Sequence, residues 1–380
     1  MARPFRLSAV LLLLMLLTGC WDQTIYERIG FIVNLGIDDL DSEKILVTYT
    51  SPVVGQSSSA GGQSQGGEMP IEVNKSEARL LREAREMSNQ TSPRLLEGGK
   101  IQNILIGQSM AEKDIHEYLE IFERDVKNPV LAWVIIVEGE ARELIDKGKE
   151  FKNKPPLGLY INQLMEDCIK GGYCPDETVM DYNIQYSIPG LDPVMPMAKL
   201  EDDGVRITGT ALINHNKVSG KLTAEETPFL MLLLGKKRDS VLTFSLPEEL
   251  AGTKKAIAVS LRSLKQKTRV EFRNGMPGVK MELKLRLDLN EYTWDSLNNN
   301  WKKDELSDLM AKDIQTGMQE VFKKLAEANC DALGIGDKVR AKYNDYWKRI
   351  GGQEGWKKIY PQVFADITVK ADIVRYGRLN

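Results

Sequence analysis

From Val279 to Leu289 the chain alternates without a break. Val279, Met281, Leu283, Leu285, Leu287 and Leu289 fall on one side, and Lys280, Glu282, Lys284, Arg286 and Asp288 on the other. A period of two with one apolar and one charged side belongs to a strand with a buried and a wet face, hence to an antiparallel sheet. "NGMPG" (Asn274 to Gly278) links it to a strand "KTRVEFR" (Lys267 to Arg273), and "VFADITVKADIV" (Val363 to Val374) alternates again and is expected to complete the same sheet. Between them Leu306, Met310, Ile314, Met318 (or Val321), Phe322 and Leu325 recur at helical spacing, which predicts a long helix over the dry face. A second helix, "DKVRAKYNDYWKRI" (Asp337 to Ile350), presents Val339, Tyr343, Trp347 and Ile350 as packing residues.

The N-terminal half has a different rhythm. "RIGFIVNLGID" (Arg28 to Asp38) and "KILVTYT" (Lys44 to Thr50) read as strands about an acidic turn. Asp38, Asp39 and Asp41 lack the glycine and distal glutamate of a calcium loop, so the turn is read as a solvated hairpin. Strand-like "IEV" (Ile71 to Val73) leads to a helix starting near Asn74 or Ser76, with Leu80, Leu81, Ala84 and Met87 on one face. Then follow a strand Lys100 to Gly107, a helix Asp114 to Val126, a strand Pro129 to Gly139 and helices Glu140 to Gly148 and Leu157 to Ile169. Strands alternating with helices predict βαβ units and a partly parallel sheet. Ser51 to Pro70 is Gly/Ser/Gln-rich and is read as a mobile loop inside this domain, because it has too little apolar surface to offset its ordering entropy.

The Pro-rich "IPGLDPVMPM" (Ile188 to Met197) does not suit a sheet interior and sets the first expected boundary. Beyond it a hairpin turns at Asn214-His215-Asn216. Thr223 and Glu226 form a capping box before "AEETPFLMLLLG"; the alternative cap is Thr227, with Pro228 at the first helical position. Strands Ser240 to Leu246 and Lys255 to Ser263 follow. The expected fold is α+β: three dissimilar domains (20–198 with a mixed sheet, 199–264, and 265–380 with an antiparallel sheet), their sheets covered by helices.

The start of the chain obeys other rules. Leu7 to Leu17 is an apolar run behind Arg3 and Arg6 and is too short to cross a bilayer, which takes about 20 residues. A charged start, a short apolar centre and a small-residue exit describe a secretory signal covering residues 1–19. Leu17-Thr18-Gly19-Cys20 resembles the lipobox of bacterial lipoproteins. That resemblance implies lipidation of Cys20, with diacylglyceryl and fatty acyl (palmitate-type) chains, and cleavage before it. A plain secretory signal with an incidental cysteine is the alternative. Several acyl chains on one residue hold a protein on a membrane almost permanently. "PFLMLLLG" (Pro228 to Gly235), the next most apolar stretch, cannot span one.

Net charge is −3, and the segment before Cys20 carries two arginines and no acid. That balance argues against a nucleic-acid binder. Of four cysteines, Cys168 and Cys174 flank a Gly-Gly turn and can close a small disulfide loop in an oxidising compartment; Cys330 stands alone. Two histidines, His116 and His215, far apart, give neither a zinc site nor a nucleophile–base pair. His116 reads as a surface or core-edge residue and His215 as a turn residue. No phosphate-binding glycine loop and no G-x-S-x-G elbow occurs. No catalytic, cofactor or metal site is implied, and the expectation is a non-enzyme.

The opening "GCWDQTIYERIGFIVNLGID", "SEAR" (Ser76 to Arg79), "FERD" (Phe122 to Asp125), "GTALINHNKVSGKLTAEET" (Gly209 to Thr227) and "CDALGIG" (Cys330 to Gly336) resemble the Ger(x)C family, the lipoprotein C subunits of GerA-type spore germinant receptors. The family usually carries Glu five positions after the lipid cysteine, where this chain has Ile25, with Glu27 nearby. The resemblance implies a three-domain α+β fold without known enzymatic activity on the outer face of the spore inner membrane, assembled with integral-membrane A and B subunits. Two rival readings are a solute-binding lipoprotein, which requires two similar lobes about a cleft, and an extracytoplasmic hydrolase.

Overall fold

The computed structural model describes residues 25–41, 43–53, 70–124, 127, 129–247, 256–292 and 300–375. Cys20, the segment before it and most of the Gly/Ser/Gln loop lie outside the described residues. A single turn at Tyr26–Arg28 leads into β1 (Ile29–Phe31), which pairs in parallel with β5 (Leu95–Glu97).

Eight strands form the first sheet, in the order β10-β9-β8-β7-β6-β2-β3-β4. β2 (Asn34–Asp39), β3 (Ile45–Pro52) and β4 (Ile71–Ala78) make an antiparallel meander. β6 (Asn103–Gly107), β7 (Trp133–Glu138) and β8 (Val194–Glu201) run parallel to β2, as the βαβ rhythm predicts. β9 (Gly204–Asn214) and β10 (Lys217–Thr223) close the edge antiparallel. The sheet is covered on both faces. Ile37, Ile104 and Ile106 pack with α1 (Leu81–Asn89), α2 (Gln108–Ala111), α3 (His116–Leu119), α4 (Ile121–Arg124) and, further along, α7 (Val179–Ser187). Leu105, Ile135 and Val137 pack with α5 (Ala141–Gly148) and α6 (Leu157–Gly171) on the other face.

The sequence boundary at Ile188–Met197 is crossed by this sheet. β8 contains Pro196 and continues through a two-residue turn into β9, pairing Glu201 with Gly204. A tight hairpin cannot also separate two domains. Pro196 is tolerated because the parallel ladder with β7 begins only at Met197, so its missing N–H leaves no gap there. Residues 199–264 therefore divide between the two sheets. The helix expected from Asn74 or Ser76 also starts later: Ser76 and Ala78 still belong to β4, and α1 buries Ala84 and Ser88 while Leu80 and Met87 face solvent.

The second sheet has the order β11-β12-β13-β14. β11 is Val241–Ser245, and β12 (Ala256–Arg273) joins into one strand what the sequence suggested were two. Asn274 and Gly275 turn it into β13 (Met276–Tyr292) with φ of 50° and 79°, the left-handed pair that a two-residue hairpin requires. β14 (Phe364–Arg375) departs from the antiparallel expectation: it runs parallel to β13. The reason is the connection, a long helical crossover of the kind that parallel neighbours need. It comprises α9 (Asn300–Glu327), α10 (Ile335–Lys342), α11 (Asn344–Arg349) and α12 (Gly352–Ile359). The predicted second helix is α10 and α11, broken at Tyr343. The stripe Leu306, Met310, Ile314, Met318, Phe322, Leu325 is buried as the spacing predicts. One core joins this half to the edge of the first sheet, since Val194, Leu212 and Leu222 pack with α8 (Thr227–Leu233), β12, β13 and α9.

Candidate functional site

The molecule concentrates its buried charge where the two sheets meet. Lys357, on α12, points its ammonium at both oxygens of Asp192 (2.6 and 2.7 Å), at Asn214 Oδ1 (2.7 Å) and at the Asn329 carbonyl (3.3 Å). Both charged residues are 6% exposed. Asp192 Oδ2 also accepts the Asp331 backbone N–H at 2.7 Å, and the Asp192 N–H donates to the Asp331 carbonyl at 3.1 Å. Asp331 turns the other way. Its carboxylate accepts the N–H groups of Ile335 (2.9 Å) and Gly336 (2.7 Å) at the start of α10, and the indole N–H of Trp356 (3.0 Å). Burial pushes Asp331 up to about 7, while those donors pull down.

The backbone is drawn equally close. Gly190 donates to Gln353 Oε1 and accepts from Asp337 N–H. A Cβ on either Gly190 or Gly336 would collide with the other's backbone. Cys330 is buried against the Pro193 carbonyl, and burial raises its thiol pKa further. The segment "CDALGIG" is thus a joint, with Asp331 as cap and Gly336 as the contact point.

"GTALINHNKVSGKLTAEET" is a second joint. Gly209 has φ 139° and lies against the Leu222 carbonyl, where a side chain has no room. Thr210 and Thr227 share a buried hydroxyl bond of 2.9 Å, and Thr227 donates to the Thr223 carbonyl. The Thr223/Glu226 reciprocal bonds form as predicted (3.0 and 3.2 Å), but α8 begins only at Thr227, with Glu226 at its cap position and Pro228 second in the helix, so Thr227 is not the cap. Glu226 then pairs with Lys324 of α9 at 2.6 Å.

The third motif, Gly36-Ile37-Asp38, fixes a helix to the first sheet. Gly36 leaves space for Ala141 and Ile145 of α5. Asp38 is 2% exposed and accepts the N–H groups of Ala141 (2.7 Å) and Arg142 (2.8 Å), capping α5 from a strand 103 residues away. Burial raises its pKa against those two bonds. Sequence reading placed Asp38 in a solvated turn. Only Asp41 behaves so, accepting from Glu43 and Lys44 N–H in the turn itself.

The remaining candidates are dispersed. Cys168 is half-buried and Cys174 buried; both are free thiols whose pKa burial raises. His116 stacks on Tyr186 with ring centroids 3.7 Å apart, the core-edge role expected of it. His215 is exposed in its turn at φ 48°. Glu177, unremarked in sequence, is 2% exposed, accepts from Gln185 Nε2 at 2.7 Å, and is pushed up to about 8 by burial. Among the described residues no group of three or more His, Cys, Asp or Glu could hold a metal, and no helix is long and apolar enough to cross a membrane.

Comparison with known proteins agrees over nearly the whole chain. Residues 22–200 match the family model described as spore germination protein N-terminal domain, and residues 208–377 that described as spore germination B3/GerAC like, C-terminal. Spore germination protein B3 of Bacillus subtilis (strain 168) is 23% identical over 99% of this chain and 98% of its own length. Spore germination protein GerQC of Bacillus cereus is 22% identical over 94% and 96%. The crystal structure of the GerBC protein superposes with a TM-score of 0.58 at 17% identity, covering 90% of this chain and 97% of that one, and so shares the fold.

Proposed function

Because this chain belongs to the Ger(x)C family of spore germination proteins, we propose that it is the membrane-anchored C subunit of a nutrient germinant receptor, lipidated at Cys20 on the outer face of the spore inner membrane and assembled with integral-membrane A and B subunits. It acts by protein contact without turnover. The observation that carries this reading is where three of the segments that carry the resemblance lie: Gly36-Ile37-Asp38, Gly209 to Thr227 and Cys330 to Gly336 each build a joint, and these three converge on no cleft with reactive groups. The halves are also unlike, one sheet of eight strands and one of four, and their junction is buried. That favours a scaffold over a hinged solute-binding protein, whose two lobes are alike and part about a cleft.

A lipid tether confines the protein to a thin layer beside its partners and raises its effective concentration there, so individually weak contacts suffice. Cys20→Ala spores should therefore respond poorly to nutrient, and the A and B subunits should cease to co-purify with this chain from detergent-solubilised membranes. Normal germination with an exported but unlipidated chain, or turnover of a small substrate by the purified chain, refutes the proposal.

A further inference from the structure

The wet face of the second sheet sets like charges side by side. Lys265 of β12 stands opposite Lys284 of β13, and Lys284 stands beside Lys370 of β14. Neighbouring strands lie about 4.8 Å apart, so the three lysines leave the sheet in one row about 10 Å wide. Lys267 and Arg286 flank the row on either side, each two residues along its strand and on the same face. All five are exposed. Like charges directly opposite one another destabilise a sheet. Here the register that opposes them is fixed from the other face, where Leu283, Leu285 and Leu287 are buried, and a slip of one residue would turn those leucines to water. Acids share the face but are engaged elsewhere. Glu282 is opposite Lys267 yet pairs with Arg269, and Asp372 is beside Arg286 yet pairs with Lys303. Glu271, Asp288 and Asp366 pair with Arg269, Arg262 and Arg273. Among the described residues Lys265, Lys267, Lys284, Arg286 and Lys370 make no ion pair. A chain of net charge −3 therefore keeps five uncompensated cations together on one face.

Resting on the reading of the chain as a subunit that acts by protein contact, we propose that this face docks an acidic helix of a partner protein, laid across the strands with its carboxylates over Lys265, Lys284 and Lys370. Charge complementarity selects the occupant. The face is patterned, because Glu282 and Asp372 lie next to the row. A uniformly anionic surface such as a bilayer meets those carboxylates as well as the lysines and is repelled by them. A protein can set acids over the lysines and neutral or basic groups over Glu282 and Asp372, and such matching fixes register and rejects wrong partners. Spacing points to a helix. Side chains three or four residues apart on one helix face stand about 5–6 Å apart, close to the strand separation, so three acids on one helix stripe meet the three lysines one to one. The docked partner also relieves the apposition of like charges that the free sheet tolerates.

The test uses the full chain in isolated spore membranes, treated with a carbodiimide, which joins a lysine amine to a carboxylate only where the two are in contact. Mass spectrometry should find amide bonds from Lys265, Lys284 or Lys370 to Asp or Glu of another protein. The same three lysines should acetylate several-fold more slowly in the membranes than in the purified chain. The Lys265→Gln/Lys284→Gln/Lys370→Gln variant should recover several-fold less of the A and B subunits, while its thermal midpoint stays level or rises, since only repelling charges are removed. Cross-links absent from the row, or made only within the chain or between its copies, overturn the proposal. So does equal recovery of A and B by the variant, which leaves the subunit reading intact. Protection from acetylation reproduced by phosphatidylglycerol vesicles and the purified chain alone also overturns it, making a bilayer the occupant. If wild type recovers neither A nor B, the subunit reading fails instead; the cross-links, formed before solubilisation, still decide the matter of the face.

Discussion

Replacing Lys357 by Met removes one charge from the junction and leaves the rest of it in place. The Met side chain occupies much the same volume, so little of the effect is cavity. What is lost is the ammonium's four contacts, with Asp192 Oδ1 and Oδ2, Asn214 Oδ1 and the Asn329 carbonyl. Asp192 remains buried with one donor, the Asp331 N–H. Breaking a buried pair from one side costs about 3–5 kcal/mol, because an uncompensated charge is stranded. The loss should show in chemical denaturation of a chain lacking residues 1–24. It should also show in where unfolding occurs. Hydrogen exchange of β6 and β7 should track that of β13 and β14 in wild type, and the two sets should separate in the variant. Asp192→Asn added to Lys357→Met removes the stranded charge while keeping an acceptor for Asp331, and should recover about 2 kcal/mol or more. A single-variant loss below about 1 kcal/mol, with both sheets still unfolding together, refutes the account of the junction as the tie between the halves.

Asp38→Ala should cost about 1–2 kcal/mol by uncapping α5, measured as a lowered denaturation midpoint, with exchange faster in Ala141–Gly148 than elsewhere. Glu177 titrates near 8 when folded against an ordinary 4.5, so the folded state holds its proton more tightly than the unfolded one. Its contribution is full below pH 4.5 and is lost as pH rises to 8, a swing on the order of 4 kcal/mol. Glu177→Gln should therefore stabilise the protein at pH 8.5, change little at pH 4.5 and flatten the stability profile between them; an unchanged slope contradicts this. Replacing residues 54–69 by a short Gly/Ser turn should shift stability by less than about 1 kcal/mol in the same denaturation assay, because closure entropy varies slowly with length and the Val53 N–H already meets the Pro70 carbonyl at 2.8 Å.

Period and spacing revealed what depends on neighbours in sequence. β13 and the buried stripe of α9 follow from their own residues. So does the His215-Asn216 turn, where two residues tolerating positive φ sit between alternating runs. The joints were not legible for the same reason in reverse. Asp38 meets its partners 103 and 104 residues away, and Lys357 meets Asp192 at a separation of 165; no local window contains either pair. Asp38 therefore read as a residue of a solvated turn, and nothing local singled out Asp192 or Lys357. α7 was missed although a signal existed: Thr178 and Asp181 make a reciprocal capping box, with Asp in the place where Glu or Gln is usual. The antiparallel expectation for β14 failed because alternation reports which face is buried and says nothing of polarity. Three of the segments that carry the family resemblance are fastenings, which only the folded arrangement shows.

The parallel pairing of β13 with β14 also sets an order of events. Gly278 meets Phe364 across 86 residues, so this ladder can close only after α9 to α12 have been made and folded back. Until then the apolar face of α9 lacks one of its strands, and β13 is an open edge. Long-range pairings of this kind are formed late, after the entropy of closing the intervening chain has been met. β14 is thus the strand that seals the second core. Completion of this core therefore waits on the described strand that lies furthest in sequence from Cys20.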